Sequence, residues 1–278
     1  MKTVRQYVAF LAMAALLAAT AFSAEAQSTS RLEKVTKAGT VRVGMAPFAP
    51  FVSKNPSTNQ LEGLEVEMAN KLAKELNVKL EIVEATWATL FAGLHADKYD
   101  VVMSSSKRTL QRALAVNFTD PYVSLTEHAL VRTKDNINTW ADLDKDGATL
   151  CSVMGGAAHL GLTRDHPEFI KKAKVVPLKE LALCGQAVLS GQSTAWIEDV
   201  VSTSMFAKEH ASTGLKIFAA PFGTHGEGNG YAVAKGDIDW LNWLNIFVAK
   251  MQNTGEYRRL AAKYGLPESI LVKGWGEK

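Results

Sequence analysis

The stretch Asp100-Val-Val-Met-Ser-Ser-Ser-Lys-Arg-Thr-Leu-Gln-Arg112 brings Ser104, Ser105, Thr109 and two kinds of cation, Lys107 and Arg112, into one short segment. A guanidinium is a planar fork of donors that fits a carboxylate bidentately, and neighbouring hydroxyls add short hydrogen bonds. The chemistry this predicts is capture of a carboxylate at Arg112. Taken alone, an Arg in a polar segment is equally well a solvated surface charge. Asp199, just before Val-Val-Ser, reads on its own as the N-cap of a helix over 200–208. Phe48 and Trp87 read on their own as core aromatics, and so does Trp196 between Ala195 and Ile197. The six His residues show no metal-ligand spacing, so no metal and no cofactor is expected.

These residues need a scaffold and an address. Lys2 and Arg5 precede an uncharged Ala- and Leu-rich stretch, Gln6 to Ala24, that ends in Ala24-Glu-Ala26. The pattern predicts a secretory signal over 1–26 cleaved near Ala26, and hence a periplasmic protein that is not membrane-embedded. The rival, a membrane anchor, fits less well because the strongly apolar part is short for a bilayer span. The only cysteines are Cys151 and Cys184, so there is no lipidation box. The chain is 47% hydrophobic and 21% charged, with a formal charge of +3. That is ordinary for a globular protein and too balanced to point to nucleic acid.

Strand and helix signals alternate. Thr40 to Gly44 has strand composition, and Leu64, Met68, Leu72 and Leu76 then fall four apart on one helical face. Val78 to Ile82 reads as a strand, Leu90 to Leu94 as a short helix, and Tyr99 to Met103 as a buried strand that ends at a Ser-rich loop, Ser104 to Arg112. This βαβαβ run predicts a mostly parallel sheet, with ligands beyond the carboxyl ends of its strands. The alternation recurs with strands over 127–132, 149–153 and 195–197 and a helix over 178–190. A further strand, 229–234, and helices over 238–252 and 256–264 finish the chain, with Gly255 between the last two.

Seven pieces occur in a familiar order: Phe48-Ala-Pro-Phe51, Leu61-Glu-Gly-Leu-Glu-Val-Glu67, Trp87 to Tyr99-Asp-Val, the Arg112 segment, Phe118-Thr-Asp-Pro-Tyr122, Gly226-Glu-Gly-Asn-Gly230 and Asn253-Thr-Gly-Glu-Tyr257. Together they resemble the periplasmic substrate-binding proteins of amino-acid ABC importers, the polar amino-acid type (bacterial extracellular solute-binding protein family 3). The resemblance implies an α/β, two-lobed type II periplasmic-binding-protein fold with mixed, largely parallel sheets and two hinge strands. Lobe one would comprise 31–125 and 226–278, and lobe two 126–225. It further implies that Arg112 grips a ligand α-carboxylate, Asp199 its α-ammonium, and Phe48 and Trp87 the side chain. Ser104, Ser105, Gly156 and Ala157 complete the expected site. The partners implied are a small amino acid and the permease subunits of an ABC transporter, with the binding protein a monomer and not an enzyme.

In an exported chain, Cys151 and Cys184 are expected to be joined, as in a subgroup of glutamate-type binding proteins that this region is similar to; two free buried thiols are the alternative. Three departures from the family pattern bear on the ligand. Lys107 stands where a hydroxyl residue is usual, and it either meets a second acidic group on the ligand or lies at the surface. Gly156, Ala157 and Ala158 replace hydroxyl residues, leaving backbone N–H groups at a helix start to hold an anion. Met45 replaces a residue that is acidic in cationic amino-acid binders. The sequence therefore favours an acidic or neutral polar amino acid. The runner-up function is a periplasmic enzyme similar to cyclohexadienyl dehydratase, with Glu198, Glu227 or Glu65 as its acid; Ser202 at a natural position for such an acid speaks against it.

Overall fold

The computed structural model describes residues 29–223 and 228–274. The signal segment, its cleavage point, Glu227 and the lobe boundary at 225/226 lie outside the described residues.

The chain opens with helix α1 (Arg31–Ala38), strand β1 (Thr40–Met45) and a small hairpin, β2 (Ser53–Lys54) with β3 (Leu61–Glu62). There follow α2 (Leu64–Leu76), β4 (Lys79–Glu84), α3 (Leu90–His95), β5 (Val101–Lys107), α4 (Leu110–Ala113) and β6 (Val116–Phe118). After a crossing come β7 (Glu127–Arg132), α5 (Trp140–Leu143), β8 (Thr149–Val153), α6 (Ala157–Leu160), β9 (Lys174–Leu178), α7 (Leu181–Ser190), β10 (Ala195–Asp199), α8 (Val200–Glu209) and β11 (Leu215–Ala219). The chain then returns through β12 (Asn229–Ala234), α9 (Ile238–Asn253) and α10 (Glu256–Lys263).

Two five-stranded sheets result, ordered β4-β1-β5-β12-β6 and β11-β7-β10-β8-β9. Each joins a parallel trio to antiparallel strands. β4, β1 and β5 are parallel with β12 antiparallel beside them, while β10, β8 and β9 are parallel with β7 antiparallel beside β10. Each sheet has its own core. Val41, Val43, Met45, Leu64, Met68 and Leu72 fill the first, and Val131, Leu143, Leu150, Ala158 and Ile197 the second. The predicted face of α2 is the buried one. The crossing segments lie side by side, with Val123 bridged antiparallel to Asn229.

The Ser-rich segment is not a loop. β5 runs on to Lys107 and is buried at every residue, so Ser104, Ser105, Ser106 and Lys107 are held at strand spacing. Short strands β6, β9 and β11 are additions that the apolar pattern did not predict; β9 and β11 are half-buried edge strands without a continuous apolar run. Cys151 and Cys184 are joined, with Cα atoms 5.5 Å apart, tying α7 to β8.

Candidate functional site

The carboxyl ends of β5, β8 and β10 converge on a cleft between the sheets with about 400 Å³ of atom-free space, part of it open to solvent. The first sheet's side supplies Phe48, Trp87, Ser105, Lys107 and Arg112. The second supplies Gly156, Ala157, Glu198 and Asp199. Eight of the nine expected ligand-binding positions thus share one crevice. Ser104 is the exception, and the alternation of β5 is the reason. Its side chain turns inward, where its hydroxyl accepts from Ala46 N at 2.8 Å, while Ser105 faces the cleft. Ser105 takes a left-handed backbone (φ 48), and its buried hydroxyl has no hydrogen-bond partner among the described residues.

Arg112 sits in the single-turn α4, whose N-cap Thr109 accepts from Arg112 N at 3.1 Å. Its side chain reaches back into the cleft over the Phe91 ring, with the guanidinium carbon 5.0 Å from the centroid. One terminal nitrogen donates to Lys107 O at 3.1 Å and the other to Gly155 O at 3.2 Å, so the residue links both sides of the cleft. Among the described residues no carboxylate lies within ion-pair distance of it. Burial pulls its pKa down to about 10. A guanidinium has five N–H groups, so donors remain for a guest carboxylate.

Asp199 caps α8, its Oδ1 accepting from Val201 N at 2.8 Å and Ser202 N at 3.1 Å. Its Oδ2 is buried and has no hydrogen-bond partner among the described residues. Capping and availability to a ligand therefore coexist in one carboxylate. Burial raises its pKa to about 6, against the opposing hydrogen bonds from Ser202 and the helix start. Beside it, burial and the neighbouring charges of Glu127 and Asp199 hold the Glu198 carboxyl well above the usual range.

The expectations for Lys107 need correction. It is neither at the surface nor open to a ligand anion: its ammonium donates to Glu127 Oε1 at 2.8 Å and to Gly223 O at 3.0 Å, and both partners of the ion pair are buried. Glu127, the first residue of β7, is a cleft residue that sequence reasoning missed. The available signal was a charge opening an otherwise apolar strand, opposite a Lys in need of a partner. Leu125, Val153, Leu181 and Asn229, also unforeseen, complete the wall.

Phe48 and Trp87 meet edge to face with centroids 5.8 Å apart, and the Trp87 indole N–H donates to Pro47 O at 3.2 Å, which fixes the ring. Gly156 N donates to Val153 O at 2.9 Å, so that N–H is engaged. Gly155 is needed for two reasons. It has φ +78, and a Cβ there would stand 2.7 Å from Ala88 Cα across the cleft. Of the acids considered for an enzyme, Glu198 lines the cleft, whereas Glu65 is buried in the first core, where it accepts from the Tyr122 hydroxyl.

A sequence profile of the bacterial extracellular solute-binding proteins, family 3, matches residues 41–267. The chain belongs to that family. This solute-binding protein is 32% identical over 228 residues to the probable histidine-binding protein of Neisseria gonorrhoeae, covering 79% of this chain and 80% of the relative. It is 26% identical over 212 residues to the cyclohexadienyl dehydratase of Pseudomonas aeruginosa, covering 75% and 76%. Its fold matches the crystal structure of an ancestral amino acid-binding protein described as a precursor of cyclohexadienyl dehydratase, with a TM-score of 0.75, 31% identity, and 85% and 99% of the two chains covered.

Proposed function

We propose that this protein captures one free amino acid between its two lobes, in the periplasm, and delivers it to the permease subunits of an ABC importer. Arg112 takes the α-carboxylate and Asp199 the α-ammonium, while Phe48 and Trp87 pack on the side chain and Ser105 adds a hydroxyl. The observation that carries this reading is a pair of unmet charges. A buried guanidinium without a carboxylate partner and a buried carboxylate oxygen without a donor, both among the described residues, line one crevice. Each alone is costly, and a dipolar guest satisfies both in a site that excludes water.

Lobe one would be 31–125 with 226–278 and lobe two 126–225, hinged where Val123 meets Asn229. The Gly155 to Ala88 approach and the Arg112 bond to Gly155 O are contacts that closure makes and opening breaks. The protein works as a monomer. Of the sequence's two favoured ligand types, the acidic one loses its support because Lys107 is engaged by Glu127. The test is thermal unfolding with each of the twenty amino acids. A ligand that binds only the folded state raises Tm by mass action, so one or a few chemically related amino acids should give shifts that Arg112→Met abolishes.

A second reading rests on Glu198, a buried carboxyl whose burial favours the protonated form and which lines the cleft, as a general acid requires. It makes the protein a dehydratase like its Pseudomonas relative. Incubation with prephenate decides it, since formation of aromatic product requires the enzyme and its absence favours the carrier.

A further inference from the structure

The cleft's charges do not close on a simple zwitterion. Its acids all come from the second sheet's side, Glu127, Glu198 and Asp199; its cations, Lys107 and Arg112, come from the first. Lys107 is paired with Glu127. An α-carboxylate answers Arg112 and an α-ammonium answers Asp199. Glu198 remains, and its one hydrogen bond among the described residues is a long one, 3.3 Å, from the N–H of Asp199.

We propose that Glu198 is the specificity-determining group of this cleft, and that it receives the positively charged side chain of a cationic amino acid. The inference rests on the amino-acid reading and names its substrate class. Two further observations support it. Phe48 and Trp87 line the same cleft, and aromatic faces attract a cation while Leu125 and Leu181 offer apolar surface to its methylene stem. Met45 is fully buried in the first core and is not a cleft residue, so its lack of charge does not bear on the ligand's side chain.

The groups facing Glu198 are Asp199 on its own strand, Glu127 and His128 on β7, and Lys107 and Arg112 across the cleft. His128 stands opposite Glu198 in the ladder, with its ring nitrogen 3.3 Å from Thr126 O. Glu127 and Asp199 favour a proton on Glu198 in the empty protein and Lys107 opposes it. A guest cation beside the carboxyl opposes that preference, and its binding therefore favours release of a proton to solvent.

Isothermal titration calorimetry of the wild-type protein at pH 7 with L-arginine, L-lysine, L-glutamine and L-glutamate, in two buffers of different ionisation enthalpy, tests this. Arginine or lysine should bind about tenfold or more tighter than glutamine, with a fraction of a proton released that glutamine does not release. Glu198→Gln should shrink that preference to about threefold or less, and Glu198→Asp should keep part of it. Glutamine or glutamate binding as tightly as both cations, or a preference that survives in E198Q, overturns the assignment. If E198Q does not fold, the wild-type ranking and proton release decide. A neutral amino acid that binds as tightly as arginine and lysine, in a manner that depends on Arg112, would sink Glu198's role and leave the amino-acid reading standing, whereas no binding by any amino acid would sink both.

Discussion

Asp199→Asn separates a functional carboxylate from a structural cap, because the two roles predict opposite signs. Asn accepts through Oδ1 as well as Asp does, so the bonds from Val201 N and Ser202 N, at 2.8 and 3.1 Å, survive. What changes is Oδ2, the buried oxygen without a hydrogen-bond partner among the described residues. A carboxyl moved from 3.8 to about 6 on folding gives up protons more readily when unfolded, so stability falls as pH rises between those values and stays low above them. The full penalty is about 3 kcal/mol at neutral pH. The amide NH2 that replaces Oδ2 is a buried donor in want of an acceptor and takes back part of the gain, leaving about 1–2 kcal/mol. The empty variant should therefore melt about 2–8 °C higher at pH 7, with a flatter pH profile between about 4 and 6. Its amino-acid affinity should fall about 30- to 700-fold, as the guest ammonium loses a desolvated charge partner. Scanning fluorimetry and calorimetry on the same preparation read both. A variant with lower Tm and unchanged affinity would reduce Asp199 to a cap and refute the reasoning.

Gly155→Ala places a Cβ 2.7 Å from Ala88 Cα, so closure should fail and affinity drop about tenfold or more for every ligand, while small-angle scattering shows no ligand-induced compaction. Lys107→Met strands the buried Glu127 carboxylate and should cost about 3–5 kcal/mol in urea unfolding; K107M/E127Q should recover most of it, because the remaining pair is neutral. Replacing both Cys151 and Cys184 by Ser opens a link between residues 33 apart and should lower stability by about 4 kcal/mol, seen as a shifted denaturant midpoint.

Much of this cleft was legible because its parts obey strong local rules. Leu64, Met68, Leu72 and Leu76 mark the buried face of a helix, and the apolar starts of the strands that lead to Arg112 and end at Asp199, Val101-Val-Met103 and Ala195-Trp-Ile197, announce themselves by composition. Arg112, Asp199, Phe48 and Trp87 fall into the crevice as expected from the motif order. Ser104 was misjudged because the Ser run looks like a loop. Its strand conformation comes from pairing with β1 and β12, a tertiary effect, and alternation then sends Ser104 and Ser105 to opposite faces. Lys107 and Glu127 are twenty residues apart across the inter-lobe crossing, so nothing local foretold their pairing, and with it went the case for an acidic ligand.

The claim on which the account depends is that this cleft holds both charged ends of a dipolar guest. Calorimetry on the wild-type protein with the best-binding amino acid, its methyl ester and its N-acetyl derivative tests it without altering the fold. The account predicts tight binding of the parent and at least about a hundredfold loss for each derivative, since the ester deprives Arg112 of its anion and acetylation deprives Asp199 of its cation. Either derivative binding as tightly as the parent would contradict it.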